Sequence, residues 1–215
     1  MLYRLLFIGC FLIIKGHCIN WYPLPDSIVN NMQVTPVFGV LHFKDLDLSA
    51  DGGSVKSIHE TIGVQLKWGD ALKGWVFQYE IANGYVTSGA STSFTETDLS
   101  LDIFKLRHFY SIIDDMGSQM ALFFSVGQIM GHYKVINSTE GSGITNYIVR
   151  NLDAYLADIG VVFGYELNQD WLISLNAAYQ FSFEANLTNL AGQKLTSPSL
   201  DFSGAMIQLG SSFRL

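Results

Sequence analysis

The sequence predicts an all-β chain, an antiparallel up-and-down transmembrane β-barrel of about eight strands. Three observations lead there: apolar residues are abundant but dispersed, they alternate with polar ones at period two, and long and short connections alternate strictly. Of 215 residues, 49% are hydrophobic and only 14% are charged, with a mean hydropathy of +0.26. No run in the body of the chain approaches the roughly 20 apolar residues of a membrane helix. The apolar residues therefore serve either a soluble β-core or strands whose outer face meets lipid.

The one continuous apolar run opens the chain. Arg4 supplies a short basic region, Leu5 to Ile14 an apolar stretch, and Lys15 its end. Gly16-His17-Cys18 then offers small residues where a signal peptidase cuts, so residues 1–18 read as a removable signal peptide. Both cysteines, Cys10 and Cys18, leave with it, so disulfide and thiol chemistry are excluded from the mature chain. Cleavage also removes two cations and no acid, which takes the formal charge from −7 to −9 and argues against nucleic acid as a partner. Residues 19–33, with Pro23 and Pro25, read as an N-terminal extension, and residues 34–215 as the barrel.

Along the barrel, the first strand is expected near Val34–Phe43, weakened by Pro36, which lacks a ladder donor. Ile62, Val64, Leu66 and Trp68 then alternate with Thr61, Gly63, Gln65 and Lys67. Trp75, Phe77, Tyr79 and Ile81 alternate with Val76, Gln78, Glu80 and Ala82. Leu99–Arg107 and Met120–His132 alternate less cleanly. Tyr155 to Glu166, Trp171 to Glu184 and Gly204 to Leu215 each set an apolar or aromatic face against a polar or small one.

Connections at Gly69–Ala71, Ile112–Gly117 and Asn168–Asp170 are short, whereas those near Lys44–Lys56, Gly84–Glu96, Lys134–Arg150 and Ala185–Ser199 are long and rich in Gly, Ser, Thr and Asn. That is the wiring of a barrel with long loops at one end and tight turns at the other. Trp68, Trp75, Tyr165, Trp171 and Phe213 lie on the apolar faces close to the short turns or the C-terminus. They are expected to form one aromatic girdle at a membrane interface, where an apolar ring with a polar edge is favoured.

Strand lengths, the long–short alternation and the segment Ala205-Met206-Ile207-Gln208-Leu209-Gly210-Ser211-Ser212-Phe213-Arg214-Leu215 resemble the OmpA/OmpX-type small outer-membrane barrels. The resemblance implies a bacterial outer-membrane location, outer-membrane lipid and lipopolysaccharide as surroundings, recognition by the barrel-assembly machinery, and a monomer. Members of that family usually end in an aromatic residue, whereas Leu215 stands last here and Phe213 two positions earlier.

The polar faces predict a lumen network of Lys67, Glu80, Asp102, Asp158, Glu166 and Arg214, with Gln65, Asn176 and Gln208 at mid-height. Lys67 and Arg214 with Glu166 is the expected ion-pair cluster, while Glu80 and Asp102 lack an evident cation. The histidines are scattered and no cysteine pair survives, so neither a metal nor another cofactor is expected. The functional expectation is a non-catalytic outer-membrane protein whose loops serve structural, adhesive or ligand-binding roles. One alternative is a narrow channel along Glu80, Asp102, Asp158 and Glu166. Another is a lipid A-modifying enzyme drawing on His42, His59, His108 or His132 with Ser100, Ser111 or Ser125, of which His108 with Ser111 is the nearest local pair.

Overall fold

A computed structural model describes residues 32–45, 58–68, 74–90, 93–115, 117–139, 143–168, 171–195 and 200–214. The expected signal peptide and most of the N-terminal extension lie outside these residues. Eight strands follow in order: β1 (Met32–Asp45), β2 (Ile58–Trp68), β3 (Gly74–Ala90), β4 (Ser93–Asp115), β5 (Ser118–Thr139), β6 (Gly143–Asn168), β7 (Trp171–Thr188) and β8 (Asp201–Arg214). Each pairs antiparallel with its sequence neighbours, and β1 pairs with β8, so the sheet closes on itself as an up-and-down barrel. Closure leaves no unpaired edge around the barrel's girth.

The period-two faces emerge as expected in β2, β3, β6, β7 and β8. On β6, for example, Leu152, Ala154, Leu156, Asp158 and Val162 are buried while Tyr155, Ile159, Phe163 and Tyr165 are exposed. Pro36 sits inside β1, opposite Val64 of β2. The β1–β8 ladder passes from Val34↔Phe213 to Val37↔Gly210 without pairing Thr35 or Pro36, so the missing proline N–H falls where no ladder bond forms. The Thr35 and Ser212 hydroxyls bond across that gap at 2.7 Å.

Two expected loops are strands. Most of Gly84–Glu96 and of Lys134–Arg150 continues the β3–β4 and β5–β6 hairpins, with Ala90 paired to Ser93 and Thr139 paired to Gly143. β2 reaches only Asn83 of β3, and β7 only Asn151 of β6. Gly84–Ala90 and Gly143–Arg150 thus pair on one side only among the described residues, and the upper parts of β3 to β6 stand above the barrel as a four-stranded sheet. The β7–β8 connection instead folds back, with Thr188 bridged to Lys194 and Leu195 N–H donating to the Leu187 carbonyl. The β1–β2 connection lies outside the described residues.

Candidate functional site

The interior has two layers. Toward the long-hairpin end the inward side chains are mostly apolar, with His59 and Thr97 buried among them: Leu41 and Phe43 of β1, Leu99, Leu101 and Ile103 of β4, Ile129, Tyr133 and Val135 of β5, Leu152 and Leu156 of β6, and Phe202 and Met206 of β8, all buried. Leu187 at the end of β7, and Leu195 and Leu200 from the β7–β8 connection, pack onto this cluster. Phe43 meets Phe202 edge-on at 5.4 Å and lies against His59 at 5.1 Å. This apolar plug fills the upper barrel.

Below it lies the polar layer. Arg107 of β4 faces Ser125 of β5, which faces Asp158 of β6, which faces Gln180 of β7. Lys105 Nζ is 2.8 Å and Arg107 Nη2 3.5 Å from Asp158 Oδ2, with all three side chains fully buried. Lys105 also donates across the lumen to Gln180 Oε1 at 2.8 Å, and Gln180 donates to the Phe202 carbonyl at 2.7 Å. On the opposite wall Gln65 donates to Gln78 at 2.9 Å, Gln78 to Gln208 at 3.3 Å, and Gln208 to Glu80. Arg107 stacks over Phe123 at 4.6 Å. The Met206 sulfur lies 3.8 Å from Lys105 Nζ and 3.6 Å from Arg107 Nη2, where the two layers meet. Lys105 and Arg107 thus share this layer with the buried carboxylates Asp158 and Glu80, with Lys67 a third buried cation of the lumen; a charge so placed persists only when it is paired.

The structure redistributes the expected network. Asp158, Glu80 and Lys67 point inward and are buried, and Glu166 accepts from Gln119 at 2.7 Å. The Arg214 side chain lies outside the described residues. Asp102 is not in the lumen. It sits between the buried Leu101 and Ile103 on the outer face and accepts from the Tyr79 hydroxyl at 2.7 Å. The cations that matter, Lys105 and Arg107, escaped the sequence reading because β4 changes polarity midway. Its inward face runs Leu99, Leu101, Ile103, Lys105, Arg107, while its outward face runs Asp98, Ser100, Asp102, Phe104, Leu106. Following parity rather than polarity through this segment would have placed both cations inside.

Glycine makes room for the long lumen side chains. Gly39 lies opposite Gln208, Gly63 opposite Glu80 and Gly127 opposite Lys105. A Cβ at these positions would come within 2.6, 2.7 and 2.9 Å of the Gln208, Glu80 and Lys105 Cγ atoms respectively, closer than carbon atoms approach.

Outside, large apolar side chains are exposed on every strand, from Phe38 and Ile62 round to Ile207 and Leu209. Of the expected girdle, Trp75, Tyr165, Trp171 and Phe213 face outward and are exposed; the Trp68 side chain lies outside the described residues. Trp171 stacks on Phe213 at 5.7 Å and donates to Ser211 Oγ at 2.6 Å. His108 belongs to this ring as well, 4.7 Å from Trp75 and stacked on Phe124 at 5.6 Å. Among the other histidine and serine candidates, Ser125 points inward, and Ser100 faces His132 across β4 and β5 on the outer face. The adjacent acids are already engaged, Asp98 beside Lys134 at 3.9 Å and Asp102 with Tyr79.

The structure is thus a closed, eight-stranded antiparallel barrel with a filled lumen and an apolar exterior. The chain is similar to several solved structures of outer-membrane proteins. A major outer membrane protein of Thermus thermophilus is similar at 10% identity and a TM-score of 0.47, covering 86% of this chain and 99% of its own. The N-terminal β-barrel domain of Pseudomonas aeruginosa OprF (10% identity, TM-score 0.44) covers 86% and 97%. Ail, the attachment invasion locus protein of Yersinia pestis (11%, 0.44), covers 86% and 96%. No family model and no curated protein matches the chain.

Proposed function

We propose that the chain is a non-catalytic bacterial outer-membrane protein, a sealed barrel whose working surface is the sheet projecting at the long-hairpin end. The observation that carries this reading is the apolar exterior around a closed, internally satisfied sheet. A soluble monomer seldom exposes a contiguous apolar patch beyond a few hundred Å², yet here the apolar face rings the molecule. A lipid-spanning sheet must close, because hydrocarbon offers no partner to an open edge. Tyr155 and Tyr165 bound the outward series on β6. Ten residues at about 3.3 Å each, tilted by about 40°, span about 25 Å, the height of an outer-membrane apolar band. Outward Asp98, Asp102 and Asp153 mark the upper margin, and the aromatic girdle the lower. By the usual wiring of such barrels, the short turns and both termini are periplasmic and the long hairpins extracellular. Its surroundings are then outer-membrane lipid and lipopolysaccharide, and it is inserted as a monomer by the barrel-assembly machinery.

The apolar plug opposes the channel alternative, since a conducting path needs continuous polar lining. Catalysis by Ser100 and His132 is opposed because neither flanking acid is left to orient the imidazole. The projecting sheet suits contact with an external ligand: Tyr85, Ile144 and Tyr147 are exposed on its open strands, and strands paired on one side retain free backbone donors and acceptors. The test is electrophoresis of unheated and boiled samples, with fractionation of the expressing cells. Heat-shifted migration and outer-membrane recovery are expected; unshifted migration with periplasmic recovery would refute the reading. Protease shaving of intact cells should cut within the long hairpins and spare the short turns.

A further inference from the structure

The outer face at the short-turn end carries an arrangement that girdle packing alone does not explain. Trp75 of β3 lies opposite His108 of β4, which lies opposite Phe124 of β5. The imidazole meets the indole edge-on at 4.7 Å and 73°, and stacks on the phenyl ring at 5.6 Å and 26°. Trp75 is 47% exposed. Among the described residues, those two positions away on the same face are Phe77, Leu106, Tyr110, Leu122 and Val126, none of them charged. The other girdle tryptophan among the described residues differs. Trp171 gives its indole N–H to Ser211 Oγ, whereas Trp75 and His108 make ring contacts and no hydrogen bond among the described residues.

An imidazole costs free energy in an apolar band unless its polar atoms are satisfied. Two touching rings that each carry an N–H donor, set among aromatic and apolar neighbours with the indole half exposed, fit an anionic oxygen carried on an apolar body. We propose that Trp75 and His108 bind the phosphate of a membrane phospholipid in the leaflet at the short-turn end. The indole and imidazole N–H groups each donate to a phosphate oxygen. Leu106, Leu122 and Val126 face the acyl chains, and the Tyr110 hydroxyl is a third donor within the same patch. The ligand class is a glycerophospholipid, held through its phosphodiester and indifferent to its headgroup alcohol. This rests on the membrane reading above.

The test uses the full mature chain folded in a phosphate-free maltoside micelle, with barrel formation first verified by heat-shifted migration. Absence of that shift would refute the membrane reading and this proposal with it. Dihexanoyl phosphatidylglycerol, and separately dihexanoyl phosphatidylcholine, is titrated while the indole N–H resonances of Trp75 and Trp171 are followed. The expected result is a saturable shift of Trp75 with both lipids, with Trp171 unmoved. His108→Phe keeps the ring stacking and removes the donor, and should weaken binding by roughly tenfold, the loss of one hydrogen bond to a charged group. Equal movement of both tryptophans, unchanged affinity in His108→Phe, or the same shift with inorganic phosphate alone would each overturn the proposal.

Discussion

Removing the Asp158 carboxylate is the most informative single perturbation of this barrel. Its Oδ2 serves Lys105 at 2.8 Å and Arg107 at 3.5 Å, all three side chains being fully buried. In Asp158→Ala, Lys105 and Arg107 would lose the carboxylate they share, leaving Glu80 as the buried acid of the layer. Breaking a buried pair by deleting one partner costs about 3–5 kcal/mol, chiefly because the remaining charge is stranded away from water. That corresponds to a hundredfold to several-thousandfold loss in the folding equilibrium constant, at about 1.4 kcal/mol per factor of ten. The double variant Lys105→Met/Asp158→Leu removes one buried charge of each sign, leaving Arg107 over Phe123 with Glu80 as the remaining buried carboxylate. It should recover most of the loss, since well-packed apolar replacements of buried pairs are often neutral or stabilising. The assay is equilibrium urea unfolding of the refolded barrel in lipid vesicles, followed by tryptophan fluorescence. A loss below about 1 kcal/mol in Asp158→Ala, or a double variant no better than the single, would refute the argument that these charges balance one another.

Other consequences are equally direct. Gly127→Ala would drive its Cβ into the Phe104 carbonyl and within 2.9 Å of Lys105 Cγ, and should cost about 1–3 kcal/mol by the same urea assay; Gly164→Ala, whose nearest neighbour is a flexible Leu172 methyl at 3.2 Å, should cost less. In planar bilayers the wild-type chain should show no steady current, and Leu101→Ser with Leu156→Ser should admit transient conductance by wetting the plug; steady wild-type current would refute the seal. Amide hydrogen exchange should be faster in Gly84–Ala90 than in Val76–Ala82, because among the described residues the former pairs with β4 alone and the latter with β2 and β4; equal protection would mean that the upper β3 edge is covered.

The readability of each strand follows from how many environments it crosses. β6, β7 and β8 keep one face toward lipid and the other toward the lumen for most of their length, so period two survives and both faces were legible. β4 begins above the apolar band, where its outward face meets water and its inward face meets the plug. It ends with lipid outside and the charged layer inside. Each face reverses polarity near Phe104 and Lys105, and a reading by polarity alone inverts the upper half, which is how Asp102 came to be expected inside and Lys105 and Arg107 were overlooked. The upper β3–β4 and β5–β6 hairpins read as loops for a related reason. Thr, Ser, Gly and Asn suit exposed connections, and above the lipid no buried face imposes alternation, yet backbone pairing can continue without it. The Asp158 cluster was half legible. Its acid stands on a clean strand, but its cations come from the inverted one.

Sealing and rigidity in this barrel are two results of one packing device. An eight-stranded barrel leaves an interior only about as wide as side chains can fill, so a lumen of large residues on every strand would be overfilled. The chain alternates extremes instead: Gln208, Glu80 and Lys105 reach inward, each facing a glycine on the neighbouring strand, and Phe123 and Leu101 face Gly160 and Gly131 in the same manner. The polar layer can therefore cross the lumen from β4 to β6 and β7, and from β3 to β8, tying walls that share no ladder bonds. The plug uses the same rule with apolar residues and so closes the path above. If the rule holds, Gly63→Ala and Glu80→Ala should be coupled and together cost less than the sum of the two single variants, because shortening Glu80 relieves the Cγ contact at 2.7 Å, although the contact with the Tyr79 carbonyl remains. Glu80→Ala by itself strands a buried cation, as Asp158→Ala does. Adding Lys105→Met removes one cation in turn, and the triple variant should then unfold at higher urea than the double variant. Strict additivity of Gly63→Ala and Glu80→Ala would show that the glycines serve the backbone of the strands and not the volume of the lumen.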